Sequence, residues 1–492
     1  MAVFLLDCAQ GRLRGVAERG IHRFYGIPYA AAPVGLRRFR APEPPGAWSG
    51  ERDATRKGPN APQINRKFPG LDATGFIGDG WRRGDEYLCL NVWTPDPKGK
   101  APVMVFIHGG AFVAGTGDAP AYDGCNFARD GIVCVTLNYR MGIDGFLPLA
   151  GADTNLGLRD QIAALHWVKA HIAAFGGDPA NITVFGESAG AMSIANLLGS
   201  PLAKGLFRRA IIESGHGRML HSADCMQRVV QKLAEVLAVP ATAEGFARRS
   251  FEDCAKAVDV VSQPGVIADL REANGLDPAF GLSKFLPIVG DDVIPVASEE
   301  AVAGGLGTEV ELLIGSNLEE MNIYFVPPGI CELDDETTVR FLLGQVFPRA
   351  EEALLAYGLG KGKKPGMVLT EAMSDLVFRQ PVRDFALAHR GRTHVYEFGW
   401  RSPAFQGRLG ACHALELPFV FDTLATCSGP EGLVGETAPQ GLADHVHMLW
   451  TGFARDGSLP WAEFEADTRQ VYRLEERGSR SEGEFLAAQM KV

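Results

Sequence analysis

The 492-residue chain lacks paired cysteines, long apolar runs and any excess of positive charge. Its nine cysteines stand singly at 8, 89, 125, 134, 225, 254, 331, 412 and 427, with no Cys-x-x-Cys pair. An odd, scattered set without close histidine partners excludes a disulfide framework and a zinc finger, and leaves reduced, mostly buried thiols. Cys412 does precede His413, but neighbours on an extended chain point opposite ways, so the two do not form a dyad. No stretch approaches the roughly 18 to 20 apolar residues of a membrane-spanning helix. A formal net charge of −11 denies the chain the basic face that nucleic acid or an anionic membrane surface requires. The opening Met1-Ala-Val-Phe-Leu-Leu6, followed by Asp7, lacks a basic n-region and a cleavage site, so no secretion signal is expected. Repeats and low-complexity tracts are missing too. Lys361-Gly-Lys-Lys364 lacks the preceding strand and following Ser or Thr of a phosphate-binding loop, and reads as a solvated basic loop.

What remains is an ordinary globular composition, 46% hydrophobic and 22% charged, with enough apolar material for a sizeable core. Val103-Met-Val-Phe-Ile107, Ile132-Val-Cys-Val-Thr-Leu137 and Ile182-Thr-Val-Phe185 are apolar β-type runs suited to burial on both faces. Between the last two, apolar positions 158, 162, 165, 168 and 172 predict a helix over 157–175, closed by Gly176-Gly177. Further strands are expected at 312–314 and 394–398. Strand, helix and strand joined by short connections predict an α/β fold whose mostly parallel sheet is covered on both faces. Residues 29–85, rich in Pro, Gly and Arg, and the helical stretch 325–392 read as excursions from one sheet. The expectation is a single domain over 1–492, with segments about 60–85 and 325–392 covering an active site.

Gly186-Glu187-Ser188-Ala189-Gly190 follows one of those strands and precedes a small-residue helical stretch. Gly-x-Ser-x-Gly between strand and helix is the pattern of a nucleophile elbow, where glycines permit a sharp turn and the serine hydroxyl is held exposed. His108-Gly-Gly-Ala-Phe112 follows the strand ending at Ile107 and is similar to the oxyanion loop of lipases and esterases. Backbone N–H groups of Gly110, Ala111 and Ala189 would face a carbonyl oxygen. Phe112 could line the substrate pocket or pack the loop, and the sequence leaves the two readings equal.

Taken in order, Phe24-Tyr-Gly-Ile-Pro-Tyr-Ala30, Leu88-Cys-Leu-Asn-Val-Trp-Thr-Pro95, Asn138-Tyr-Arg-Met-Gly142, Asn155-Leu-Gly-Leu-Arg-Asp-Gln161, Phe175-Gly-Gly-Asp-Pro179, the elbow and Leu206-Phe-Arg-Arg-Ala-Ile-Ile-Glu-Ser-Gly215 resemble the type B carboxylesterase and cholinesterase family of α/β-hydrolases. The resemblance runs from about residue 10 to about residue 465. It implies an α/β-hydrolase fold and a Ser188, Glu320, His413 triad, with Glu319 as the alternative acid. Apart from the family, Glu319-Glu320 would be a solvated pair and His413 one of eleven histidines. Asn138, Arg140, Asp160, Gln161, Ser193 and Glu187 are expected to support the site rather than touch substrate.

Departures from the family pattern matter as well. Ala61 and Tyr87 stand where secreted relatives carry their early disulfide, which points to a reducing, cytoplasmic setting and leaves the loop of about 62–86 unstapled. His216-Gly-Arg-Met-Leu220 replaces a Pro-Trp turn near the acyl pocket, so acyl preference stays open. Ala414 replaces a frequent glycine and is expected to be tolerated at negative φ. The resemblance implies a serine esterase without metal or cofactor, acting on small to medium uncharged carboxylic esters. An amidase, carbamate hydrolase or acyl transferase would use the same residues, and a non-catalytic interaction protein would share only the fold. Oligomeric state is open.

Overall fold

The computed structural model describes residues 2–263, 265–266 and 269–490. Among the described residues thirteen strands join one sheet, and its middle is built from the apolar runs noted above. β1 (Ala2–Cys8), β2 (Gly11–Glu18), β3 (Ile21–Pro28) and β5 (Cys89–Thr94) lead antiparallel into β7 (Val133–Leu137), with β4 (Glu51–Asp53) beside β2. From β7 the order continues through β6 (Ala101–Ile107), β8 (Gly177–Glu187), β9 (Arg209–Glu213), β10 (Glu311–Asn317), β11 (Thr393–Phe398) and β12 (Gln470–Arg473), all parallel. β13 (Gly478–Ser481) closes the edge antiparallel to β12.

Alternation along these strands divides the core into two layers. Val103, Val105 and Ile107 of β6 face one cluster with Val184, Ile212 and Ile314, whereas Met104 and Phe106 face the other with Phe185, Ile211 and Leu313. Both faces are therefore apolar, which is why the central strands read as continuous hydrophobic runs. Helix α1 (Leu156–His171) lays Leu158, Ile162, Leu165 and Val168 on the first cluster. It stops at His171 rather than at 175: Ile172–Phe175 tighten into a 3₁₀ turn and Gly176 closes it at φ 76°. β8 begins at Gly177, five residues earlier than the apolar run: Gly177 pairs with Ala101 of β6, and after an irregular stretch the ladder resumes at Ile182 opposite Val103. Among the described residues no helix is long and apolar enough to cross a membrane.

Buried polar groups brace the frame where the sequence placed them. Arg140 and Asp160, both fully buried, meet at 2.6 Å, and Asn138 Oδ1 accepts from the Gly117 amide at 2.9 Å. Gln161 donates to Ser193 Oγ at 3.1 Å.

Candidate active site

The adjacent strands β6, β8, β9 and β10 end on the same edge of the sheet, so the residues just past their carboxyl ends converge. β8 ends in Glu187, Ser188 takes φ 56° and ψ −123°, and helix α2 (Ala189–Leu198) starts at once. Such a conformation costs a non-glycine residue about 1–3 kcal/mol, held by the packing around it. That packing is tight. A Cβ on Gly190 would lie 1.9 Å from the Ile107 carbonyl oxygen, and one on Gly186 would lie 2.6 Å from it. Only glycine lets the turn sit this close to the end of β6.

The loop after β6 lies directly against the elbow: a Cβ on Gly109 would come 3.1 Å from Ser188 Cβ. Gly110 and Ala111 adopt φ 112° and 55°, and among the described residues their amides have no hydrogen-bond acceptor. The Ala189 amide opens α2, where no intrahelical acceptor exists. Phe112 is fully buried against Phe146, with ring centroids 4.5 Å apart, so it packs the loop instead of lining a pocket. His108 stacks on Tyr139, and burial pulls its pKa down to about 4, which keeps the ring neutral and structural.

Glu320 and His413 are brought together. The His413 ring presents Nδ1 to Glu320 Oε2 at 2.6 Å, and neither residue is exposed beyond 3%. Glu320 Oε1 accepts from the Ser214 hydroxyl at 2.6 Å and from the Asn317 amide at 2.7 Å. A carboxylate served by donors on its other oxygen places the imidazole proton on Nδ1. Glu319 turns away: it accepts from the Ala411 amide at 2.9 Å and pairs with Arg401. Two strand-like contacts, Glu319 N to Ala411 O and His413 N to Glu320 O, stitch the two loops side by side.

Nε2 of His413 is buried without a hydrogen-bond partner among the described residues. Glu187 Oε1 lies 2.9 Å from it, near enough for charge to act but off the line of an N–H bond. Burial opposes charge on His413, yet its pKa is raised well above 6.5, because groups of opposite sign crowd it. Tyr324 is one of these, but burial holds its phenol neutral, so Glu187 and Glu320 carry the effect. Two more buried acids flank them. Burial pushes the pKa of Glu213 well up, and burial with the neighbouring carboxylates brings that of Glu416 to about 8, so Glu416 stays mostly protonated near neutral pH. Trp450 donates to Glu213 at 2.7 Å, and Asn317 donates to Glu416.

Ser214 is the residue the sequence concealed. It lay inside a matched segment with no local feature to mark it. Its hydroxyl reaches Glu320 only because β9 ends beside β10 and Ser214 turns at φ 54°. Ala414 brings a correction. It sits at φ 66°, not at negative φ, so the missing glycine leaves a strained alanine beside His413. The His216 segment also gains a role: buried His216 meets the Val377 carbonyl through Nε2 at 2.8 Å, next to Phe378, whose ring centroid lies 4.6 Å from that of His413.

Remote from this site, donor atoms of His221, Cys225 and Glu272 lie within 4.8 Å of one another, a grouping the sequence spacing did not flag. Each already has hydrogen-bond work. His221 Nδ1 meets Glu272 at 2.9 Å, Glu272 accepts from Ser222 at the start of helix α3 (Ala223–Leu237), and Cys225 donates to Leu270 O. The trio serves as a helix-capping network.

A strained serine between strand and helix, a loop of free amides against it, and a buried histidine–carboxylate pair at the carboxyl edge of a parallel sheet define an α/β-hydrolase of the serine esterase class. Residues 3–491 match the Carboxylesterase family, and the chain belongs to it. It is a carboxylic ester hydrolase. The para-nitrobenzyl esterase of Bacillus subtilis is 36% identical over 486 residues, 94% of this chain and 93% of the relative. The phenmedipham hydrolase of Pseudarthrobacter oxydans is 34% identical, covering 95% and 94%. A solved PNB esterase structure superimposes with a TM-score of 0.84 at 34% identity, covering 99% of both chains.

Proposed function

We propose that the chain hydrolyses small to medium carboxylic esters through an acyl-enzyme on Ser188. The observations that carry this reading are the buried His413–Glu320 contact at 2.6 Å and a serine held at φ 56° in the turn between strand and helix. His413 Nε2 takes the Ser188 proton as Oγ attacks the ester carbonyl carbon, and Glu320 keeps the Nδ1 proton in place and offsets the imidazolium charge. The amides of Gly110, Ala111 and Ala189 receive the oxyanion. Each such donor is worth about 10²–10³ in rate when removed from a comparable site. His413 then gives the proton to the departing alkoxide, and water, deprotonated by the same imidazole, releases the acid and restores Ser188.

In this reading the chain forms a single domain over 1–492, with segments about 60–85 and 325–392 covering the site. No metal or cofactor takes part. A reducing, cytoplasmic setting belongs to the same reading, supported by nine free cysteines. The test is turnover of p-nitrophenyl esters from acetate to octanoate by the wild type and Ser188→Ala in parallel, with EDTA present. Serine-dependent, chelator-resistant hydrolysis is expected, and its chain-length profile sizes the acyl pocket. Equal turnover by Ser188→Ala would overturn the assignment.

A further inference from the structure

The candidate oxyanion loop after β6 is held peptide by peptide. A trans peptide points its C=O and N–H in opposite directions, so a donor that fixes the oxygen also aims the amide. His108 Nδ1 donates to Gly109 O at 2.8 Å, which aims the Gly110 amide. Gly110 O accepts from the Val113 and Ala114 amides, both at 3.1 Å, which aims the Ala111 amide. These two aimed amides are the ones left without an acceptor among the described residues.

The next peptide, between Ala111 and Phe112, is the weak point. Both residues are left-handed, at φ 55° and 62°, and neither is glycine. Such backbone persists only where its surroundings over-determine it. Val113 and Ala114 lie just beyond this peptide, so if it turned over, their amides would leave Gly110 O and the Ala111 amide would lose its aim. Its carbonyl is held from outside the loop: the buried Ser283 hydroxyl, 172 residues away in sequence, donates to Ala111 O at 2.9 Å. Ala111 O has no other donor among the described residues. The same proton reaches Phe285 O at 3.0 Å within the serine's own turn, and the Phe285 amide donates to Oγ at 3.1 Å, which fixes the place of the hydroxyl. The turn leading to Ser283 is braced in its own right, because buried Asp277 accepts from the Ala279 amide at 3.0 Å and from the Gly281 amide at 3.1 Å.

We propose that Ser283 is a positioning residue for ester hydrolysis: it pins the Ala111–Phe112 peptide and so keeps the Ala111 amide aimed at the oxyanion. It acts through the loop and not on the substrate. The oxyanion forms as Ser188 attacks and forms again as water attacks the acyl-enzyme, so the hold serves both steps. The proposal rests on the reading of Gly110, Ala111 and Ala189 as oxyanion donors given above.

Exchanging the carbonyl oxygen of the ester for sulfur tests it, since sulfur is a weak hydrogen-bond acceptor and gains little from the loop amides. The readout is the ratio of kcat/KM for p-nitrophenyl butyrate to that for p-nitrophenyl thionobutyrate, measured in one preparation of each enzyme. General damage to the fold lowers both rates alike and leaves the ratio unmoved. Ser283→Ala should lower the ratio about 2- to 12-fold, the worth of one neutral hydrogen bond. Ser283→Cys, close to serine in shape but a weak donor, should move it the same way and serves where the alanine variant does not fold. Ser283→Thr keeps the hydroxyl and should stay near the wild-type ratio. An unchanged ratio in Ser283→Ala and Ser283→Cys would overturn the role of Ser283 while leaving ester hydrolysis intact. A wild-type ratio no higher than that of hydroxide acting on the same two esters would instead overturn the oxyanion reading beneath it.

Discussion

The Ser214 hydroxyl donates a 2.6 Å hydrogen bond to Oε1 of Glu320, the carboxylate whose other oxygen meets His413. Both residues are fully buried, so no water replaces the bond when it is lost. Charge-assisted bonds of this kind contribute about 1.5–3 kcal/mol. Ser214→Ala should therefore lower kcat/KM for a neutral ester, mostly through kcat, by at most about 10- to 150-fold if the whole bond acts in the transition state, and by less because the Asn317 amide still holds the carboxylate. An unchanged kcat would contradict a positioning role for Ser214.

Glu187 should govern the pH profile. The base works only as neutral imidazole, so activity rises as pH climbs through the pKa of His413, which the flanking carboxylates hold up against burial. Glu187→Gln removes one of those charges, makes the imidazolium less stable, and should move the acidic limb of kcat/KM to lower pH. A limb that stays in place would show that the 2.9 Å approach of Glu187 to Nε2 carries no electrostatic weight.

Ala414→Gly should stabilise the fold. At φ 66° alanine bears about 1–2 kcal/mol of left-handed strain, and glycine removes it at the expense of greater freedom in the unfolded chain. The net expectation is a gain of up to about 1 kcal/mol in urea unfolding. A loss of stability would mean that the alanine methyl packs well enough to outweigh its backbone strain.

The elbow glycines should be intolerant for steric reasons. Gly190→Ala drives a methyl to 1.9 Å from a backbone oxygen that belongs to a central strand and cannot yield. It should cost more than about 3 kcal/mol, as severe overpacking does, and give little soluble protein. Gly46→Ala, with open space around it, should express and unfold like the wild type. Similar yields for both variants would contradict the close approach of the start of α2 to the end of β6.

The central parallel strands were legible because burial on both faces turns them into unbroken apolar runs, as in Val103–Ile107. The amino-terminal strands were not. β1 is largely exposed and β2 shows only Leu13 and Gly15 buried, so neither carries a strong apolar pattern, and their pairing depends on each other. The polar start of β8 was missed for the same reason. Ser188 and the glycine loop could be read locally, since an elbow and an amide-lined turn impose residue types at fixed spacing. Glu320 and His413 needed a family likeness, because 93 residues separate them and only the sheet brings them together. The Ser214 contact, the approach of Glu187 to Nε2 and the left-handed turn at Ala414 are tertiary outcomes without a local signature.

Trapping the acyl-enzyme tests the central claim most directly. The wild type, Ser188→Ala and His413→Ala would each be mixed with a p-nitrophenyl carbamate ester that deacylates slowly, with p-nitrophenol release followed and the digested protein weighed by mass spectrometry. One equivalent of p-nitrophenol per wild-type chain, with the added mass confined to the peptide containing Ser188, is the predicted result; label should be absent from Ser188→Ala and form far more slowly in His413→Ala. Label on another residue, or hydrolysis that proceeds equally in Ser188→Ala, would contradict the account.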